Sequence, residues 1–220
     1  MKHVVWLTGS MGSGKTTQSR LLIEAIAGMG KQEERGDDTW HYTVYPKHGL
    51  AVLGRMGKNQ CTGLDSLYGK LGVDGVTRSL KKALEDPKVQ IIILECAFGT
   101  VSWYRKWLEA GLREKFHLLI VHLDLSLWEN FKRIGQRRAK KTGGNWYDIP
   151  LEDTVYKNVG SKNRETRNIY MKLMGTHPLA KQNCSPTADM GVQVKAMWKE
   201  SAIHQMIMRK LMQLLDEQRD

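Results

Sequence analysis

Residues 7–22 read LTGSMGSGKTTQSRLL, in which Gly9 is followed, after four residues, by Gly14-Lys15-Thr16. Glycines at this density let successive backbone N–H groups turn toward one point. Those donors, with the positive N-terminus of a following helix, suit phosphate oxygens. Lys15 would reach the β- and γ-phosphates of a bound ATP, and the Thr16 hydroxyl would ligate Mg²⁺. The expected nucleotide-binding set is Gly9, Ser10, Met11, Gly12, Ser13, Gly14, Lys15, Thr16 and Thr17.

Phosphoryl transfer also needs an acid near the γ-phosphate, to hold Mg²⁺ or to accept the acceptor hydroxyl's proton. Glu95 closes the apolar run IIILE and is thereby expected at the carboxyl edge of a sheet, beside the glycine-rich loop. Asp65 is a second candidate, in CTGLDSLYG, within a segment from Gly49 to Gly75 that holds seven glycines and reads as a loop near an acceptor. An ordinary turn aspartate fits that position equally. Asp124, ending IVHLD, reads as an acid in the N-cap region of the next helix. Charge developing on the transferred group calls for cations. The segment SLWENFKRIGQRRAKK supplies Arg133, Arg137 and Arg138, and a spacing of four puts the first two on one helix face, as in a lid. Arg164 and Arg167 are further candidates.

Positioning these residues requires strands that deliver loops to one edge. His3–Thr8, Trp40–Tyr45, Gln90–Glu95 and Phe116–Leu125 read as strands, several of them apolar on both faces. Thr16–Met29, Val73–Glu85, Ser102–Lys115 and Ser126 to about Lys140 read as helices, as do Lys162–Met174 and Lys199–Glu217, with an edge strand between the last two. This alternation implies an α/β fold, a parallel sheet covered by helices on both sides, with ligands at the carboxyl ends of the strands.

The chain has 220 residues, enough for one domain with its own core, and residues 1–220 are expected to form one, with a basic lid region at about 126–175. No apolar run approaches the ~18 residues of a membrane span, and no secretory signal is evident, so a cytoplasmic location is expected. Cys61, Cys96 and Cys184 lack disulfide or zinc spacing. The balance of 34 basic against 23 acidic residues gives +11. Between Phe131 and Gly175 there are eleven Lys/Arg and four Asp/Glu, so +7 of it lies in one fifth of the chain. Such a surplus exceeds what one nucleotide requires and points to a nucleic-acid partner. Two aromatic and basic clusters, SWYRKW (102–107) and KKTGGNWYD (140–148), could stack on bases. Trp103 and Trp107, at i and i+4, equally suit a helix core, whereas Trp146 and Tyr147 lie in a polar glycine-rich stretch.

Through GSMGSGKT and its strand–helix context the chain resembles P-loop NTPases of the small-kinase type, as in nucleoside and nucleotide kinases. The resemblance implies a parallel sheet, an acceptor region after the second strand, and an arginine-bearing lid. Where many nucleoside kinases carry an Arg-Ser pair, or the thymidylate type an Asp-Arg pair, after the third-strand acid, this chain has Glu95-Cys96-Ala97-Phe98. The arginine that would grip a free nucleoside or monophosphate is thus missing there. The short kinase core, TGLD and the basic surplus together look like the bacteriophage kinases that phosphorylate 5-hydroxymethyluracil bases within DNA, over the first 140 residues best. If so, the chain acts in the host cytoplasm. Two other readings stay open: a deoxynucleoside monophosphate kinase, and an ATP-dependent nucleic-acid-binding protein. In the kinase readings Lys15, Arg133, Arg137 and Arg138 neutralise charge, Thr16 and Glu95 organise Mg²⁺, and Asp65 or Glu95 takes the proton.

Overall fold

The computed structural model describes residues 1–28, 30–54, 64–96, 101–145, 154–174, 190–195 and 200–216. The first strand, Lys2–Gly9 (β1), is buried from His3 onward, because apolar side chains point to both faces of an interior strand. Lys15–Ala27 (α1) follows and stops at Gly28, whose φ of 57° and N–H bond to the Glu24 carbonyl close the helix. Three short strands come next: Glu33–Gly36 (β2), His41–Tyr45 (β3) and Leu50–Leu53 (β4). Leu64–Glu85 (α2), Ile91–Glu95 (β5), Val101–Glu109 (α3) and Phe116–Asp124 (β6) complete the middle of the chain. Leu127–Thr142 (α4), Thr154–Leu173 (α5), Met190–Lys195 (β7) and Glu200–Asp216 (α6) follow.

The strands form one sheet in the order β2-β3-β4-β5-β1-β6-β7. Strands β4, β5, β1, β6 and β7 run parallel, whereas β2, β3 and β4 pair antiparallel. The expected parallel sheet therefore carries an antiparallel edge, made possible by the short turns between β2, β3 and β4. Alternate residues of β1 serve two cores. Val4 and Trp6 pack with residues of α2, α3 and α5, and Val5 and Leu7 pack with α1 and α6. The sheet is thus the middle of three layers.

The first core is aromatic. Trp6 lies 5.9 Å from Trp103 and 5.4 Å from Trp107, ring centre to centre, and all three indoles are fully buried. Trp103 and Trp107 are core residues, which removes SWYRKW as an exposed stacking surface. The helix expected over Ser102–Lys115 ends at Glu109, since Gly111 adopts φ of 61° and residues 113–115 form a short 3₁₀ turn. Asp65 lies in the first turn of α2, not in a loop, and that helix absorbs Gly69, Gly72 and Gly75 by kinking at Gly72 (φ 63°). Helix α5 begins earlier than the expected Lys162, and the edge strand is β7, paired parallel to β6. No helix among the described residues is long and apolar enough to cross a membrane.

Candidate active site

Register brings the chemistry to one edge. Leu7 of β1 pairs with Glu95 of β5, and Thr8 and Gly9 pair with His122 and Leu123 of β6. The glycine-rich loop, Glu95 and Asp124 therefore emerge together at the carboxyl ends of three adjacent strands.

The loop is built for close backbone approach. Gly9 has φ of 148°, and a Cβ there would meet the Leu123 carbonyl at 2.8 Å and the Ser13 hydroxyl at 2.7 Å. Gly14, the N-cap of α1, has φ of 95°. No side chain caps that helix and its first turn holds no acid, so its positive end is left to the loop. The Ser10 and Ser13 hydroxyls are buried without a hydrogen-bond partner among the described residues. Lys15 is buried, and its Nζ donates to the Gly9 and Ser10 carbonyls at 2.9 Å each. A buried ammonium and orphaned hydroxyls beside a helix N-terminus that no side chain caps fit a triphosphate. Thr16 and Thr17 are half-buried at the start of α1.

The Thr16 hydroxyl donates to Glu95 Oε1 at 2.7 Å, and Glu95 is 6% exposed. Thr16 and Glu95 were expected together, and the geometry brings them into contact. A hydroxyl and a carboxylate are hard oxygen donors suited to Mg²⁺, which keeps several of its own waters and so needs few protein ligands.

Helix α4 is seated on the same loop. Ser126 caps it, accepting the Glu129 N–H at 3.2 Å, so Ser126 and not Asp124 is the capping residue. Asn130 donates from Nδ2 to the Met11 carbonyl, and Arg133 donates from Nη1 to the Gly12 carbonyl at 3.3 Å. Glu129 braces Arg133 through Nε at 3.0 Å. Arg137 is exposed one turn further on, and Arg138 is half-buried on the flank of the helix. Arg133 is thus at the loop, Arg137 outside it. The side chain of Asp65, and residues 146–153 with Trp146 and Tyr147, lie outside the described residues, as do Cys61, Cys184 and residues 185–189.

Spacing alone missed three features. Asp124 pairs with Arg167 of α5 at 2.5 Å and accepts from Gln193 of β7 at 3.3 Å. This engages Arg167, expected only as a lid cation. Behind that pair His122 is 2% exposed and stacks on Tyr170 at 5.4 Å. Burial pushes its imidazole down to about 4; Asp124 opposes this, while Arg167 and Lys15 reinforce it. The third is Asn130, a polar residue one turn before Arg133 whose only signal was its place on an otherwise basic helix.

The chain is similar in fold to solved kinases. A fungal RNA kinase matches with a TM-score of 0.54 and 13% identity, over 100% of this chain and 89% of that one. Deoxyadenosine kinase from M. mycoides with bound dATP matches at 0.47 and 14%, over 95% and 99%. Shikimate kinase from Acinetobacter baumannii in complex with shikimate matches at 0.41 and 15%, over 100% and 97%. No family model matches the chain, and no curated protein matches its sequence.

Proposed function

We propose that this chain, acting as one domain, is an ATP-dependent kinase that transfers the γ-phosphoryl group to an acceptor hydroxyl. The observation that carries this reading is the contact of the Thr16 hydroxyl with the buried Glu95 carboxylate, beside Lys15 in a glycine cradle. A bound MgATP supplies the phosphoryl group and a divalent charge. The chain's residues then have separable tasks. Backbone N–H groups of the loop before α1 would bind phosphate oxygens, and Lys15 would exchange the Gly9 and Ser10 carbonyls for them. Thr16 and Glu95 would hold the cation. Arg133, standing on Gly12, offsets charge gained by the equatorial oxygens, and Arg137 and Arg138 join it when the lid closes. Glu95 or Asp65 accepts the acceptor's proton.

The acceptor is, in our reading, the hydroxymethyl group of 5-hydroxymethyluracil in phage DNA, so that transfer serves DNA hypermodification. Support comes from the +11 charge and its concentration between Phe131 and Gly175. The absence of an arginine directly after Glu95 argues against a free nucleotide held by its phosphate. The fold itself does not restrict the acceptor to a small molecule, since a fungal RNA kinase shares it. Labelled γ-phosphate transfer onto single-stranded and duplex DNA containing 5-hydroxymethyluracil, ordinary DNA, and free deoxynucleosides and monophosphates tests this. Label in the modified polymer alone is expected. Label confined to monophosphates would replace this acceptor with that of a monophosphate kinase.

A further inference from the structure

Helix α4 has two working faces, and only one of them meets the phosphate loop. Asn130, Arg133 and Ile134 face Gly12. On the ridge beside them stand Trp128, Lys132, Gln136 and Lys140, each four residues after the last. Trp128 is 67% exposed, whereas Trp6, Trp103 and Trp107 are completely buried. Lys132 is 42% exposed, and Gln136, Arg137, Lys140 and Lys141 are exposed. The helix carries six Lys/Arg against one Asp/Glu, a balance of +5. That acid, Glu129, bonds Arg133 at 3.0 Å and lies 4.0 Å from Lys132, so it offsets charge only in the first turns. Beyond Arg133 the helix has cations alone.

A large ring two-thirds exposed at the head of a row of ammonium groups is chemistry that matches a nucleic-acid strand: a base has a flat apolar face, and its backbone repeats a negative charge. Four residues of helix rise ~6 Å, which brings the row near the phosphate repeat of an extended single strand. A paired base shows no free face, so the ring selects an unpaired one. We propose that the Trp128–Lys132–Gln136–Lys140 ridge is a docking track for a single-stranded stretch of polynucleotide, with one unpaired base stacked on Trp128 and phosphates on Lys132 and Lys140. The proposal rests on the nucleic-acid acceptor argued above and names the surface that would hold it. Because the other face of α4 is hydrogen-bonded to Met11 and Gly12, a strand on this track is tied to the phosphate loop.

The test is fluorescence anisotropy of a labelled single-stranded oligodeoxynucleotide and its duplex, titrated with the full chain at several salt concentrations. The variants are Trp128→Ala, Trp128→Phe and Lys132→Ala/Lys140→Ala. The wild type should prefer the single strand. Trp128→Ala should weaken it about tenfold, with Trp128→Phe recovering most of the loss. The double lysine variant should lower the slope of log affinity against log salt by ~0.7 per lost phosphate contact. Melting temperature and ATP binding should match wild type in all three. Equal single-strand affinity for Trp128→Ala, an unchanged salt slope for the lysine pair, or a preference for duplex would each overturn the track. Single-strand binding through this ridge without phosphoryl transfer to any DNA would keep the track and sink the DNA-kinase reading. Transfer to modified DNA with wild-type affinity in every variant would do the reverse.

Discussion

Lys15, Thr16 and Glu95 gather where β1 and β5 end, and the first and last should fail differently. Lys15→Ala removes a buried ammonium whose contacts are loop carbonyls, so transfer should fall by roughly 10²–10³ while circular dichroism stays native. Glu95→Gln keeps an acceptor for the Thr16 hydroxyl but loses the charge. It should therefore raise the Mg²⁺ concentration needed for half-maximal rate, and an unshifted Mg²⁺ titration would remove Glu95 from the cation's shell. His122 gives a pH signature. Its folded-state imidazole, held down at about 4, binds fewer protons than the unfolded one at about 6.5. Stability is thus fully present above pH ~6.5 and declines as pH falls toward 4, by up to about 3 kcal/mol. His3 and His204, also lowered by burial, add with the same sign. Denaturant melts at pH 7 and 4.5 should show a larger acid loss for wild type than for His122→Gln; equal losses would mean that His122 is not the group involved.

At the scale of elements, the segments that hold the site were the legible ones. Strand β1, helix α1, strand β5 and helix α4 have strong apolar periodicity or a clear punctuation residue, and Glu95 and Arg133 took their places from that alone. Strand β4 (LAVL), bounded by Gly49 and Gly54, was absorbed into a glycine-rich loop, and β2 (EERG) has no apolar signal. Their pairing is a tertiary effect, since β4 is held by β5 across Leu50–Ile91, Ala51–Ile92 and Val52–Ile93. Asp65 reads as a loop residue for the same reason: a helix bearing three glycines is costly in isolation, and here Leu64, Leu67, Val76 and Leu80 are buried in the first core. The Asp124–Arg167 pair joins residues far apart in sequence, so local spacing held no trace of it. Ser126 caps α4, and its S-x-x-E spacing to Glu129 is legible in the sequence. Ser126→Ala should cost about 1 kcal/mol and lower the melting temperature by about 2–4 °C. A larger fall in ATP affinity than in stability would show that the cap also sets Asn130 and Arg133 on the loop.

Across the whole molecule, the sheet acts as a frame that gathers three strand ends, while the basic surplus lies on the helices after β6. In the function proposed above, mechanism and acceptor are therefore separable: the loop and Glu95 would serve any hydroxyl, and the charge would select which one. Ionic strength distinguishes the two. Transfer to a DNA acceptor should lose affinity steeply as salt rises, whereas ATP binding at the loop, which needs far fewer charge contacts, should change less. The central claim, that the Lys15–Thr16–Glu95 site moves a phosphoryl group to a hydroxyl, is tested most directly by one assay. Radiolabelled γ-phosphate of ATP is followed, with Mg²⁺, onto DNA containing 5-hydroxymethyluracil and onto free nucleosides and nucleotides, for wild type beside Lys15→Ala. The account predicts label in an acceptor hydroxyl for wild type and loss of it in Lys15→Ala. Label released only as free phosphate, or equal transfer by both proteins, would contradict it.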